Sequence, residues 1–483
     1  AAAAAAAANR TLRVVESVRG PPRVLLRERP ALAFASGRAT GAPYVLDVSD
    51  DVRHQTVLGF GGAVTEAAWY ALQQVNDTLR QRVLDAYFGA PEHGNGYTLL
   101  RTHVGSCDYS LRPYSYDDVK DDFAMANFSM AHDERTLIPL IKRILTRSAR
   151  HVRVFAAPWS PPGWLKSNDD MIGTLVPGLW PEERYWDAWA LYLVKYVQTM
   201  RAHGIELWAL STQNEPWNFG ANWETCWWWA YEQREFIADY LGPALDAAGF
   251  TPHDLALLAW DHNTDYVFEF AKEILNDTKA SRWVRGTAFH WYSGPNYDQL
   301  DATHRFNPTK FLLASEACAG PGVLRDSWQR GERYGAAIMG DLQHHTVGFV
   351  DWNIALEVKN CTSTTQWCVS GPNHADPQGD DAPIAVDSVR QRIYTQPSYY
   401  FIGHFSRYVL PQSIRIGAAW SDSARPEHVQ AVAFARPPPH NDHVAVVMNS
   451  GNATVNYALQ VTQPAVEHVT LSAPPRSIVT LIW

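Results

Sequence analysis

Cysteine is scarce in this chain, five among 483 residues. The odd count leaves at least one thiol outside any internal pairing. No Cys-X-X-Cys and no His-Glu-X-X-His occurs, so no metal site and no other cofactor is expected. Basic excess is also missing. Lys and Arg number 41 against 50 Asp and Glu, for a net charge of -9, which argues against a nucleic-acid partner. No apolar run approaches the ~18 residues of a membrane span, and the last strand-like segment ends at Trp483 without an anchor pattern. A soluble protein is expected. Residues 1–8 are all alanine with no charged leader, so they do not read as a secretory signal and are set aside.

What is present is globular: 46% hydrophobic and 19% charged residues, long enough for a large barrel and an accessory domain. Asn-X-Ser/Thr occurs at Asn9, Asn76, Asn127, Asn276, Asn360 and Asn452. Sequons spread along the whole chain favour a glycoprotein of the secretory route, lysosomal or extracellular. Cys361 and Cys368 bracket a polar loop and could form a local disulfide. Cys107, Cys226 and Cys318 lie in apolar or aromatic contexts and read as buried thiols.

Both ends of the chain are rich in short strands. Leu12–Val15, Arg23–Leu26 and Tyr44–Leu46 resemble His428–Phe434, His443–Met448, Ala453–Val461 and Ser477–Trp483. No helix intervenes at either end, so the pattern predicts one antiparallel β-sandwich assembled from both termini, over 9–52 and 406–483. Between them, over 53–405, strands alternate with helices. Tyr97–Arg101, Val152–Ala157, Leu207–Leu210, Leu255–Ala259, Gly286–His290, Phe311–Ala314 and Gly348–Trp352 read as buried strands. Leu137–Leu145, Tyr185–Ala202 and Glu232–Leu241 have helical periodicity. Repeated units of this kind favour an α/β class (β/α)8 TIM barrel. A doubly wound sheet is the alternative, without a nucleotide fingerprint to support it. Gly59-Phe60-Gly61-Gly62 lacks that spacing and reads as a tight barrel turn.

Two of the apolar runs stop abruptly in a carboxylate, at Asn214-Glu215-Pro216 and at Ser315-Glu316-Ala317. A charge there is costly unless it faces a polar cleft. In a barrel, chemistry sits at these C-terminal strand ends. Arg101 with Asp108, Trp159, Asn214, Asp261-His262, His290-Trp291-Tyr292 and Trp352-Asn353 occupy the others. Acids and amides satisfy sugar hydroxyls while indoles pack on sugar C–H faces. Singly, each has a plainer role in packing or pairing; their joint placement points to a sugar site. The run Trp227-Trp228-Trp229 reads as cleft lining or plain packing.

From Gly59-Phe60-Gly61-Gly62-Ala63 to about Gly417, these motifs resemble the glucosylceramidases of glycoside hydrolase family 30. The resemblance passes through Ser106-Cys107-Asp108-Tyr109-Ser110, Pro158-Trp159-Ser160-Pro161-Pro162, Thr212-Gln213-Asn214-Glu215-Pro216, His290-Trp291-Tyr292, Ala314-Ser315-Glu316-Ala317-Cys318 and Asp351-Trp352-Asn353. Gln396-Pro397 and Gly403-His404-Phe405-Ser406 extend it. It implies a retaining hydrolase with Glu215 as acid/base and Glu316 as nucleophile. Asp108, Trp159, Asn214 and Trp352 match sugar-binding positions, His290 and Tyr292 the pocket around the nucleophile, and Arg101 a basic residue supporting it. A glycolipid or other β-glucoside substrate follows, with a lipid-presenting activator protein and peripheral contact with a membrane surface as possible partners. The loop Trp217–Thr225 and the segment Lys359–Asp381 depart from the mammalian pattern, so another β-linked glycan, a β-1,6-glucan or a β-xyloside, stays open as substrate. A non-catalytic carbohydrate-binding glycoprotein is disfavoured by the presence of both glutamates. Glu215 is expected to hold a proton, its pKa raised by burial and a neighbouring negative charge, and an acidic optimum is expected with it.

Overall fold

A computed structural model of the chain describes residues 10–173, 175–360, 366–369, 379–421 and 426–483, with the backbone alone at 360 and 366–369. The chain forms two compact units, Ala1–Phe60 with Asp326–Val347 and Gln396–Trp483, and Gly61–Arg325 with Gly348–Thr395.

Eight strands close into a barrel. We number them β1 (Gly59–Ala63), β2 (Leu99–Val104), β3 (Arg153–Pro158), β4 (Leu207–Ser211), β5 (Ala256–Asn263), β6 (Val284–His290), β7 (Phe311–Glu316) and β8 (Thr346–Asn353). They lie side by side in chain order around the barrel, with parallel ladders. Leu99, Phe155, Ala209, Leu258, Ala288, Leu313 and Val350 fill the interior, which makes a packed core rather than a pore. Helices Leu137–Arg147 and Glu183–Ala202 follow β2 and β3. The expected helix over 232–241 runs on to Ala247 and is wound as a π-helix from Phe236 to Leu241.

The sequence reading of Gly59–Gly62 as a turn is corrected: this segment belongs to β1. Its glycines answer to space. A Cβ on Gly61 would lie 1.9 Å from the Leu99 carbonyl oxygen, inside the neighbouring strand.

Two irregularities in the ladders shape the mouth of the barrel. Phe289 faces Ala314 and His290 faces Glu316, so Ser315 is an extra residue in β7. On the other side, Ala288 faces Trp260 and Phe289 faces His262, so Asp261 is an extra residue in β5. Bulges of this kind re-aim side chains.

In the other unit a ten-stranded sheet joins both chain ends. Thr11–Val18 pairs antiparallel with Ser477–Ile482, and Val45–Thr56 with Ile414–Trp420. The expectation of purely antiparallel pairing is corrected by one pair, since Val45–Val48 runs parallel to Ala458–Val461. Leu12, Val14, Leu46, Ala445, Leu459 and Leu481 are among its core residues. Helices Trp328–Gln343 and Pro397–Ser406 belong to this unit. Among the described residues no helix is long and apolar enough to cross a membrane.

Candidate active site

Glu316 is the last residue of β7, and Glu215 follows β4 on a backbone turned to φ +48°. Trp260 and Asp261, at φ +71° and +58°, share that left-handed conformation. For residues with a Cβ it costs on the order of 1 kcal/mol or more each. Backbone hydrogen bonds hold it: Glu215 N–H donates to Asp261 O at 2.9 Å, and Asn214 N–H to Pro158 O at 2.8 Å.

Arg101, fully buried in β2, gathers the acids. Its Nη2 donates to Asn214 Oδ1 at 2.8 Å and to Asp261 Oδ2 at 3.0 Å, and its Nη1 to Glu316 Oε2. A buried guanidinium needs such compensation. Burial opposes its charge, but Asp261 and Glu316 outweigh that and raise its pKa. Asn214 Oδ1 is thus engaged, leaving its Nδ2 for a ligand. Tyr292 Oη donates to Glu316 Oε1 at 2.9 Å.

His290 ties the carboxylates together. Its Nδ1 stands 3.1 Å from Glu215 Oε1 and 3.8 Å from Glu316 Oε1, and its Nε2 3.1 Å from Asp261 Oδ1. The Oε1 atoms of Glu215 and Glu316 are therefore no more than about 7 Å apart. Ser315 Oγ donates to Asp261 Oδ1 at 2.5 Å, so the two bulge residues brace one another. Burial lowers the His290 pKa, but the charge of Glu316 and contacts with Asp261 and Glu215 lift it to about 9.

For Glu215 the expected shift is reversed. Desolvation pushes its pKa up, yet His262 and His290 outweigh it and hold the carboxyl well below the usual range. Asn218 Nδ2 also donates to Glu215 Oε2 at 2.6 Å. The proton assigned to Glu215 from the sequence is thus shared with His290 across a 3.1 Å contact. The two groups titrate as a pair, and that pair keeps its proton through neutral pH, so it does not by itself dictate an acidic optimum.

A cavity of about 390 Å³ opens over these groups. Asp108, Trp159, Asn214, Glu215, Tyr292, Glu316 and Trp352 line it, while Arg101 and His290 are buried. The Trp159 and Trp352 rings stack at 5.1 Å and 22°, with the Arg101 guanidinium 5.0 and 5.3 Å from their centres. Asp108 has an unpartnered buried Oδ1. Desolvation and the charges of Glu316 and Glu215 push its pKa well up. Opposed carboxylates, a proton shared with an imidazole and an aromatic floor suit acid–base cleavage of a sugar bond.

Residues 57–409 match the glycosyl hydrolase family 30 TIM-barrel domain, and residues 412–481 the family's beta sandwich domain. This chain belongs to glycosyl hydrolase family 30. Like its relatives, the family 30 chain is a glycosidase. It is 34% identical over 450 residues to "Putative glucosylceramidase 3" of Caenorhabditis elegans, covering 91% of this chain and 81% of that one. It is 33% identical to "Lysosomal acid glucosylceramidase" of Mus musculus, covering 92% and 84%. Among solved structures, SrfJ from Salmonella typhimurium superposes with TM-score 0.87 at 30% identity, covering 98% of this chain and 99% of that one. An endo-beta1,6-glucanase does so with TM-score 0.84 at 26% identity and the same coverage.

Sequence reasoning noted Asp261-His262 as a strand end but gave neither a role, and it passed over Asn218, Trp223 and Asp380, which also line this glycosidase's cavity or brace it. Asn218 and Trp223 lie in the loop read only as divergent; Asp380 directly follows Gly379 and binds Tyr109 Oη at 2.8 Å. Asn76, Asn127, Asn276 and Asn452 are exposed, whereas Asn9 and the Asn360 side chain fall outside the described residues. So do Cys361 and the Cys368 side chain. Cys107, Cys226 and Cys318 are buried and free.

Proposed function

We propose that this family 30 glycosidase is a retaining β-glucosidase that hydrolyses glucosylceramide to glucose and ceramide by double displacement. The observation that carries the mechanism is the short span from Glu215 to Glu316 across His290. A ceiling of about 7 Å suits the ~5–5.5 Å of retaining pairs better than the ~6.5–9.5 Å of inverting ones.

Glu316 is the nucleophile, paired with Arg101 and oriented by Tyr292. It attacks C1 and forms a glycosyl ester as the C1–O bond breaks. Glu215 relays the proton it shares with His290 Nδ1 to the leaving oxygen and is left ionised beside a neutral imidazole. In the second half Glu215 takes a proton from water, which releases the β-sugar. Asn214 Nδ2 is placed for the 2-hydroxyl, Asp108 for a hydroxyl further round the ring, and Trp159 and Trp352 for the sugar's C–H face.

The lipid half is supported by the glucosylceramidase relatives and by an aromatic rim. Trp217, two residues beyond Glu215, packs against Trp227, Trp229 and Tyr266. Trp229 and Tyr266 are about half exposed and Phe219 two-thirds. Wet aromatic surface beside a sugar pocket suits an acyl chain or a membrane surface. A lipid-presenting activator would meet the same rim. A secretory or lysosomal setting accords with the exposed sequons and the mouse relative. The likeness to an endo-beta1,6-glucanase supports the second reading, a β-1,6-glucan substrate.

Glucose release from glucosylceramide in mixed detergent micelles, beside an aryl β-glucoside and a β-1,6-glucan, tests this. Cleavage of both glucosides is expected. Cleavage of the aryl glucoside and the glucan without the lipid would move the substrate to the second reading, and inertness toward all three would overturn the proposal.

A further inference from the structure

We propose that Glu215, His262 and His290 form a binding site for one divalent transition-metal ion of the zinc type, and that its occupancy blocks hydrolysis. The blocking half rests on Glu215 being the acid/base; the binding half does not.

The three donors come from different strand ends, and one atom of each lies within 4.8 Å of the other two. His262 Nδ1 is 3.7 Å and His290 Nδ1 3.1 Å from Glu215 Oε1. Ligands of a tetrahedral zinc ion, bound at ~2.0–2.1 Å, sit roughly 3.3 Å apart; both distances to Glu215 lie within a few tenths of an ångström of that, and the two imidazoles offer nitrogens within 4.8 Å of each other. His262 Nδ1 is buried and without a hydrogen-bond partner. At 3.7 Å it is beyond hydrogen-bond distance of Glu215 Oε1 but close enough to share a cation with it.

His290 already has the support that zinc-binding imidazoles carry. Its Nε2 faces Asp261 Oδ1, which also accepts from Ser315 Oγ, while Asp261 Oδ2 accepts from Arg101. That carboxylate orients the ring and leaves Nδ1 for the metal. Metal binding exchanges the Nδ1 proton of His290 for the ion, which then sits among the carboxylates that face that ring. The cavity supplies the fourth, open position. Two imidazoles and a carboxylate select zinc-like ions over calcium or magnesium. No short motif announces the site, because residues 215, 262 and 290 meet only when β4, β5 and β6 align.

The test titrates chelator-stripped full-length enzyme with Zn²⁺ by calorimetry, and with Co²⁺ by visible absorption. One ion per chain is expected, with the intense visible bands of four-coordinate cobalt. Aryl β-glucoside hydrolysis should fall in step with occupancy and return with EDTA. His262→Gln should weaken binding at least about tenfold, with inhibition scored against its own zinc-free rate, whereas exposed His440→Gln should not. His262→Cys should retain binding and add a thiolate-to-cobalt charge-transfer band, a gain that a misfolded protein does not give. Absence of stoichiometric binding, or equal binding by His262→Gln, would overturn the site. Binding that depends on His262 but leaves hydrolysis untouched would uphold the site, overturn the blocking role and count against Glu215 as the acid/base.

Discussion

His290 and His404 are both fully buried, yet they are pushed in opposite directions. His290, at the mouth of the barrel, faces three carboxylates, and its pKa rises to about 9 although burial lowers it. His404, in the sandwich unit, lies 2.8 Å from Ser17 Oγ and 2.8 Å from Thr480 Oγ1. Burial, then repulsion from Arg407, drives its pKa down to about 3. Hydroxyls give or accept a hydrogen bond and so suit a neutral ring. Carboxylates only accept and so demand a charged one. Desolvation is common to both; the partners decide whether the residue carries a proton for chemistry or serves as a neutral strut.

The comparison breaks first at Glu316. Glu316→Gln should cut turnover by about 10⁴-fold or more and remove the largest charge raising His290. Steady-state rates measure the first effect and NMR titration of the imidazole the second. An unchanged His290 pKa would mean that Glu316 does not hold its proton.

Glu215→Gln comes next, with a loss of about 10²–10⁴-fold on poor leaving groups and only slow turnover left on aryl glucosides with very good ones, since the second half still lacks its base. Azide rescuing Glu316→Ala to a β-azide product, in place of Glu215→Ala, would reverse the two roles.

His290→Gln should be milder, on the order of 10²-fold, and should show in the pH profile. A raised pKa keeps the pair protonated until pH climbs through about 9. Without the imidazole Glu215 must keep its own proton, so the basic limb of kcat/KM should move down by several pH units. A limb that stays in place would dissociate His290 from the acid/base.

The smallest effect is expected in the sandwich unit. A histidine lowered to about 3 when folded leaves stability intact above the unfolded value of about 6.5, and that stability is lost as pH falls below it. Between pH 7 and pH 5 the loss is about 2 kcal/mol. His404→Gln should flatten that part of the stability curve in denaturant melts at the two pH values, with activity at neutral pH kept.

Much of the site was legible because it violates its surroundings. Glu215 and Glu316 interrupt apolar runs, and only a polar cleft relieves that cost. The barrel strands were legible for the complementary reason, that burial on both faces leaves them apolar throughout. β1 was not, since its glycines resemble a turn until Leu99 is seen pressing on Gly61. Asn218 was passed over, and His262 was named only as a strand end, because nothing in their local sequence sets them apart from ordinary loop or strand-end residues.

The motif order alone settled the fold, the family and which acids to watch, because apolar periodicity and interrupted strands are local properties. Where the proton sits needed three-dimensional distances. Ser315 and Asp261, bulged from the two strands that flank β6, bring Glu316, Asp261 and Glu215 around one imidazole. Electrostatic energy depends on separations of a few ångströms between residues 26 to 101 positions apart in the chain, and neither composition nor spacing records them.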